Sequence, residues 1–310
     1  MQIKKILQII KPKAKSLLGI DINADSIRLV ELSHLGSNYQ VEACINMPLT
    51  ASMPDDLVIT ALKEMFAQTQ IKTKSAAIAL SHSAIIFKEI EIAPGLSNQE
   101  IENFLHFNVE KYTGESAKNI SFDYQIIETK GKIDEHITLR LITVRRERVE
   151  KCIKLLQEVN LYPKIIDIDS YALERSIRQQ FKATTGLMTI INIDAGAILI
   201  VIIDHEKIVY AHEDFTNRAE IQSVTQIITH LKVKLLHQPL EKIVLAGEKA
   251  ALPGLKEAIN TQFGIQTVII DPFFGMQLSP SISQELVQKI APMMAISCGL
   301  ALRVTDANGN

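Results

Sequence analysis

Apolar and polar positions alternate along this chain in short runs that end at aspartates. Ser16 to Asp21 (SLLGID) is an apolar run that stops at Asp21, turns through Ile22-Asn23-Ala24-Asp25 and resumes from Ser26 to Ser33. This is the period-two signature of a β-hairpin. A turn at Gly36 to Asn38 leads into a third strand. The same events recur in TIINIDAGAILIVII (Thr189 to Ile203), where a run ends at Asp194, turns through Ala195-Gly196, returns as a strand and turns again at Asp204-His205-Glu206. Two copies of one hairpin, about a domain's length apart, predict a duplicated α/β unit with a cleft between the copies.

The rhythm changes between about Lys74 and Lys164. Strands at Ala76 to Leu80 and Ile85 to Ile92 precede Pro94-Gly95. Ser97 and Glu100 then have the spacing of a capping box, in which each side chain satisfies an orphan backbone donor. The helix that follows buries Ile101, Phe104, Leu105, Val109 and Tyr112 on one face and stops at Gly114. Strands at Ser121 to Glu128 and Ile137 to Val144 lead to a helix carrying Val149, Cys152, Ile153, Leu156 and Val159, and then to a strand from Lys164 to Asp167. This is the pattern of a small α+β unit set into the first half.

After the second hairpin the chain offers one clear helix, about Glu220 to His237, then a strand at Lys242 to Ala246 and a turn at Gly247. A helix is predicted from near Pro253 to Gly264, followed by a strand at Gln266 to Ile270 and a final helix over about Pro292 to Arg303. The last helix is rich in small residues (Ala295, Ser297, Gly299, Ala301), which suits close packing on a sheet.

Composition narrows the classes. The 310 residues are 47% hydrophobic with a formal net charge of −2, which excludes a disordered chain. A pI near 6.5 argues against a nucleic-acid binder. Cys44, Cys152 and Cys298 lie far apart, so neither a disulfide framework nor a cysteine zinc site is expected. The most apolar stretch, Leu187 to Ile203, carries Asn192 and Asp194 near its middle and reads as two buried strands, not a membrane span. The leader has Lys4, Lys5, Lys11, Lys13 and Lys15 before the first acid, Asp21. It lacks the apolar core of a signal peptide and reads as a solvated tail, with a short amphipathic helix as the alternative.

The chemistry that fits this pattern is a phosphate cleft. A carboxylate at a strand end, followed by a tight turn with open N–H groups, can hold hydrated Mg²⁺ and cradle phosphates. Two such hairpins could clamp a nucleoside triphosphate, with Gly247 passing beneath the nucleoside. Asp169 or Ser170 reads as a helix cap. His230 and His237 have no carboxylate or cysteine to complete a zinc set. Arg145, Arg146 and Arg148 read as a solvated basic face.

The order of these pieces resembles the actin-like ATPase superfamily and, within it, the PilM family of type IV pilus assembly proteins. The resemblance rests on GIDINADSIRLVEL (Gly19 to Leu32), FDYQII (Phe122 to Ile127), IIDIDSYALERSI (Ile165 to Ile177), INIDAGA (Ile191 to Ala197), IVLAGEKAALPGL (Ile243 to Leu255), DPFFGM (Asp271 to Met276) and CGLALR (Cys298 to Arg303). It implies an actin-like (ribonuclease H-like) two-lobed duplicated core with an inserted small α+β domain and a shortened second lobe. The expected divisions are a basic leader (1–16), a first lobe (17–73 and 165–185), the insert (74–164), a second lobe (186–304) and a tail (305–310). The resemblance further implies a cytoplasmic protein peripheral to the inner membrane. Its partners would be the short N-terminal tail of a PilN-like membrane protein and other pilus platform proteins; self-association stays open and nucleic acid is not expected.

By the same resemblance, ATP and Mg²⁺ would lie against Asp21, Asn23, Ser26, Arg28, Asp194, Gly196, Ala197, Gly247 and Glu248, with Asp21 and Asp194 holding Mg²⁺ through water. The family's phosphate loops are altered here, however: Asn23 stands in place of a glycine, Asp25 of a serine, and Glu248 of the second glycine of the adenosine loop. A carboxylate about 4 Å from a phosphate costs about 4 kcal/mol at an effective dielectric near 20, unless Mg²⁺ or Arg28 offsets it. The expectation is therefore a scaffold with ATP binding weak or lost and no catalytic residue assigned. The alternatives are a working actin-like ATPase and a membrane-associated filament former resembling FtsA. The peptide groove is expected between the first lobe and the insert, near Asn103, Phe104 and Phe107.

Overall fold

β1 (Ser16–Ile22) and β2 (Ser26–Leu35) form the first hairpin, and β3 (Asn38–Pro48) extends it antiparallel. In this computed structural model the described residues are 16–35, 38–50, 53–69, 71–127, 136–181, 186–205, 207–216, 221–234 and 240–304. The lysine-rich leader, the turn residues Gly36 and Ser37, Glu206, His237 and the tail from residue 305 lie outside them. After β3 come α1 (Asp55–Ala67) and β4 (Ser75–Leu80). The insert then supplies β5 (Ile85–Ile92), α2 (Asn98–Thr113), β6 (Ile120–Ile127), β7 (Ile137–Arg145) and α3 (Arg146–Glu158). β8 (Tyr162–Ile168) and α4 (Asp169–Gln180) close the first half.

The second half opens with the other hairpin, β9 (Leu187–Asp194) and β10 (Gly196–Asp204), followed by β11 (Lys207–Thr216) and α5 (Ile221–Lys234). β12 (Leu240–Ala246), α6 (Leu255–Phe263), β13 (Gln266–Ile269), the two-residue β14 (Gln277–Leu278), α7 (Gln284–Ile290) and α8 (Ala295–Ala301) complete it. Three sheets result, with strand orders β14-β3-β2-β1-β4-β8, β11-β10-β9-β12-β13 and β5-β7-β6.

Alternation along the strands decides what each sheet face meets. From β1, Leu18 and Ile20 join Leu62 and Met65 of α1 and Leu156 of α3, while Leu17 joins Ala172 and Leu173 of α4. β9 is buried at every position, as expected of a central strand covered on both faces. One of its faces packs with α4 and α8, the other with Val224 and Ile228 of α5 and Leu255 and Ile259 of α6. The helices α4 and α8 thus lie between the two large sheets. No helix among the described residues is long and apolar enough to cross a membrane.

Several elements depart from the sequence reading. β4, expected within the insert, is parallel to β1 and β8 in the first sheet. α1 was not anticipated, although Val58, Leu62 and Met65 form its buried face. The predicted helix over Pro292 to Arg303 is three pieces: a 3₁₀ turn at Ala291–Met294, α8, and a second 3₁₀ turn at Leu302–Val304. α4 begins at Asp169 with Ile168 as its cap residue, so neither Asp169 nor Ser170 acts as the side-chain cap. Arg146 is a latch for the loop before β6, donating to the carbonyls of Ala117, Lys118 and Ile120, where a solvated face was expected.

Candidate functional site

The turn Ile22 to Asp25 sets the register of the first hairpin so that Asp21 and Arg28 are direct cross-strand partners. Opposite residues in an antiparallel pair share a face, so the two side chains project together. Asn23 stabilises the turn by donating its backbone N–H to the Ser26 carbonyl at 2.9 Å and its side-chain amide to Asp21 Oδ2 at 3.2 Å. Ser26 is buried and donates to Asp25 Oδ1 at 3.2 Å.

In the second hairpin Asp194 ends β9 and is opposite Ala197, with Gly196 at a φ of 96° making the turn between them. Asn192 donates to Asp194 Oδ2 at 2.8 Å. The strand–helix turn after β12 folds onto this hairpin. Gly247, at a φ of 90°, passes so near Ile193 that a β-carbon would lie 2.5 Å from the Ile193 carbonyl oxygen. The Glu248 N–H then reaches Asp194 Oδ1 at 2.9 Å.

Arg28 joins the two hairpins. Its side chain is 1% exposed, with Nη2 2.8 Å from Asp194 Oδ1 and Nη1 3.8 Å from Asp21 Oδ2. The closer contact is to the opposite lobe. Burial works against the guanidinium charge, but Asp194 and then Asp21 outweigh it and keep Arg28 protonated. Burial also works to raise Asp194, yet Arg28, the Glu248 N–H and Asn192 hold it below the usual carboxylate range. Asp21, farther from the guanidinium, is pushed by burial up to about 6. Across the same cleft the neighbouring Asp25 carboxylate, and after it burial, raises Glu248 above its ordinary value.

The geometry brings Asp21, Asn23, Ser26, Arg28, Asp194, Gly196, Ala197, Gly247 and Glu248 to one cleft. What they form is an arginine among four carboxylates (Asp21, Asp25, Asp194, Glu248). Mg²⁺ held by Asp21 and Asp194 does not fit this arrangement, because the Arg28 guanidinium already occupies the space between them. The Glu248 N–H is likewise not free for a phosphate, since it is spent on Asp194. No cluster of three metal-ligating side chains occurs among the described residues.

A second polar junction, which the sequence did not disclose, fastens all three sheets. Glu213 on β11 accepts from the Ser81 hydroxyl and, at 3.1 Å, from the Ser83 N–H, in the short turn between β4 and β5. His82 in that turn lies 3.0 Å from Ser170 Oγ of α4 and stacks on Phe87 at 5.2 Å. Burial, and after it the charge of Glu213, pushes the Asp169 carboxyl well above its ordinary value.

On the insert, Ser97 and Glu100 form the expected capping box and Gly114 ends α2 in a left-handed turn. Ile101, Leu105 and Val109 pack onto the three-stranded sheet. Asn103 faces solvent, Phe104 is half-buried beside Tyr112, and Phe107 is 88% exposed. DPFFGM lines a separate cavity of about 430 Å³ with Val287 and Pro292, sharing no residue with the Arg28 cluster.

Comparison with known proteins places these features. The sequence model of the type IV pilus assembly protein PilM matches residues 19–230 and 215–305. Among solved structures, a PilM-PilN type IV pilus biogenesis complex superposes with a TM-score of 0.79 at 18% identity, covering 94% of this chain and 99% of that one. The ethanolamine utilization protein EutJ from Carboxydothermus hydrogenoformans gives a TM-score of 0.53 at 13% identity, covering 96% and 91% of the two chains. A Bacteroides thetaiotaomicron protein with an actin-like ATPase fold and unknown function gives 0.51 at 13% identity, covering 84% and 92%. The duplicated α/β architecture expected from the two hairpins, and the actin-like fold implied by the resemblance, are found in this structure and its neighbours.

Proposed function

Since this chain belongs to the PilM family of type IV pilus assembly proteins, we propose that it is a cytoplasmic scaffold of the pilus assembly platform, holding the short N-terminal tail of a PilN-like inner-membrane protein and binding ATP weakly or not at all. In a nucleotide-binding actin-like protein, Mg²⁺ would bridge the phosphates to strand-end carboxylates of the kind Asp21 and Asp194 supply. Here Arg28 takes that place, and this observation supports a scaffold over a nucleotide clamp.

What remains for partner recognition is surface, and α2 supplies it. An aromatic ring that is 88% exposed on a helix otherwise anchored by Ile101, Leu105 and Val109 is a suitable anchor for an extended peptide. Both edge strands of the insert sheet also carry an exposed isoleucine, Ile86 on β5 and Ile126 on β6, and an edge strand can take up a peptide by main-chain pairing. The tail therefore lies along the insert near Asn103, Phe104 and Phe107.

The test is binding of a fluorescent PilN-like tail peptide to the full chain, measured with EDTA and with Mg²⁺ and ATP. Saturable binding, unchanged by either condition and weakened by Phe107→Ala, is expected. No binding to the tail peptide overturns the scaffold reading, and tight Mg²⁺-dependent ATP binding overturns the loss of nucleotide.

A further inference from the structure

We propose that Arg28 is a tethered cation, carried by the chain in place of a nucleotide-bound metal ion, that holds the two lobes together across the cleft and makes their closure independent of nucleotide. This rests on the reading of the cleft as an altered phosphate site and not on the identity of the peptide partner.

Three observations lead to it. First, the guanidinium comes from β2 of one sheet and pairs most closely with Asp194 of the other, at 2.8 Å against 3.8 Å for Asp21 of its own hairpin. A side chain serving only its own sheet would favour its cross-strand neighbour. Second, Arg28 Nε and Nη1 are buried with no hydrogen-bond partner. A saturated network does not hold this group; the charges of Asp194 and Asp21 do, as they would hold a small cation. Third, the Glu248 N–H closes on Asp194 from the turn after β12, so the same carboxylate collects both the arginine of the first lobe and the late loop of the second.

Bound nucleotide would supply mobile positive and negative charge between two acidic turns. A covalently attached guanidinium supplies the positive charge permanently, and it leaves with no product. Closure then becomes a constant of the fold and not the state of a cycle.

The experiment uses the full chain with MgCl₂ and ATP as probes, reading thermal melting and amide hydrogen exchange at residues 21–25 and 246–249. The native protein is expected to show no change in melting or exchange with millimolar Mg²⁺, ATP or both. Arg28→Met should open the cleft, speeding exchange in both segments by about a hundredfold or more, the fold-change that breaking a buried ion pair produces. With Asp21 and Asp194 left facing each other, Mg²⁺ should slow exchange again in Arg28→Met. That rescue is the readout that a merely structural arginine would not give. If Arg28→Met fails to fold, Asp194→Asn replaces it, with faster exchange expected in both segments.

Native-like exchange in the variant that folds overturns the proposal. So does Arg28→Met that opens but ignores Mg²⁺, or a native protein that Mg²⁺ and ATP stabilise. None of these readings involves the tail peptide, so the proposal and the scaffold reading can fail separately.

Discussion

Gly299 of α8 lies against Ala172 of α4 so closely that a β-carbon on it would come 1.8 Å from the Ala172 carbonyl oxygen. The two helices can meet at this distance only because no side chain intervenes, and Arg175 of α4 reinforces the contact by donating to the Gly299 carbonyl at 2.8 Å. Both helices sit between the large sheets, so their spacing sets how the lobes face each other.

Gly299→Ala should therefore cost stability at the upper end of the range for overpacked cores, about 3 kcal/mol. Urea unfolding measures it. A loss below about 0.5 kcal/mol would mean the helices can separate freely, which the contact argues against.

Asp169→Asn should stabilise the protein at neutral pH. Burial and Glu213 raise the carboxyl's folded pKa well above its unfolded value, so the folded state binds the proton more tightly. Stability from this group is then greatest below the unfolded pKa, about 3.9, and falls as pH rises towards the folded one. Asparagine carries no such charge, and its side-chain oxygen can still accept the Ser170 N–H that Asp169 accepts at 2.6 Å. The gain in melting temperature over the native protein should be present at pH 7 to 8 and disappear near pH 4. A difference that does not vary with pH would contradict the assignment.

Glu213→Gln tests the same junction from the other side. It removes the charge facing Asp169 and weakens the grip on Ser81 and Ser83. Groups in direct electrostatic contact are not additive. The benefit of Asp169→Asn should shrink by about 0.5 kcal/mol or more in the Glu213→Gln background, measured as a double-mutant cycle by denaturant unfolding.

Phe107→Ala should weaken the tail peptide by about 2 kcal/mol while leaving the melting temperature in place, since the ring is almost wholly exposed. Phe104→Ala is the instructive contrast. That ring packs with the insert core, so its removal should lower stability as well. Equal peptide binding in the native protein and Phe107→Ala would move the recognition surface off this face of α2.

The two hairpins were legible because alternation and a terminal aspartate mark each one, and the resemblance of the ordered motifs covered the rest of the architecture. Asp21 opposite Arg28 was also within reach: a turn bounded by Ile22 and Ile27 fixes that pair by counting. The partnership of Arg28 with Asp194 was not, because it depends on how one sheet sits against another, and no local period encodes that. The same holds for Glu213 with Ser81 and Ser83, and for Glu248 with Asp25. β4 was assigned to the insert because a strand carries no mark of the sheet it joins. α1 escaped because apolar neighbours of its buried residues (Leu57, Ile59, Ala61, Phe66) blur the helical stripe of Val58, Leu62 and Met65. Sequence reading thus named groups that the fold sets near one another and missed what they do to one another.

The short strand β14 pairs with β3, and Phe273, Val287, Met294 and Cys298 cover Val30, Leu32 and Cys44 on the first sheet. The first sheet is therefore roofed by a segment far later in the chain. During synthesis β1 to β3 emerge well before the α7 to α8 segment that covers them. Val30, Leu32 and Cys44 wait with an apolar face uncovered while the intervening chain is made, the kind of transient exposure that invites aggregation.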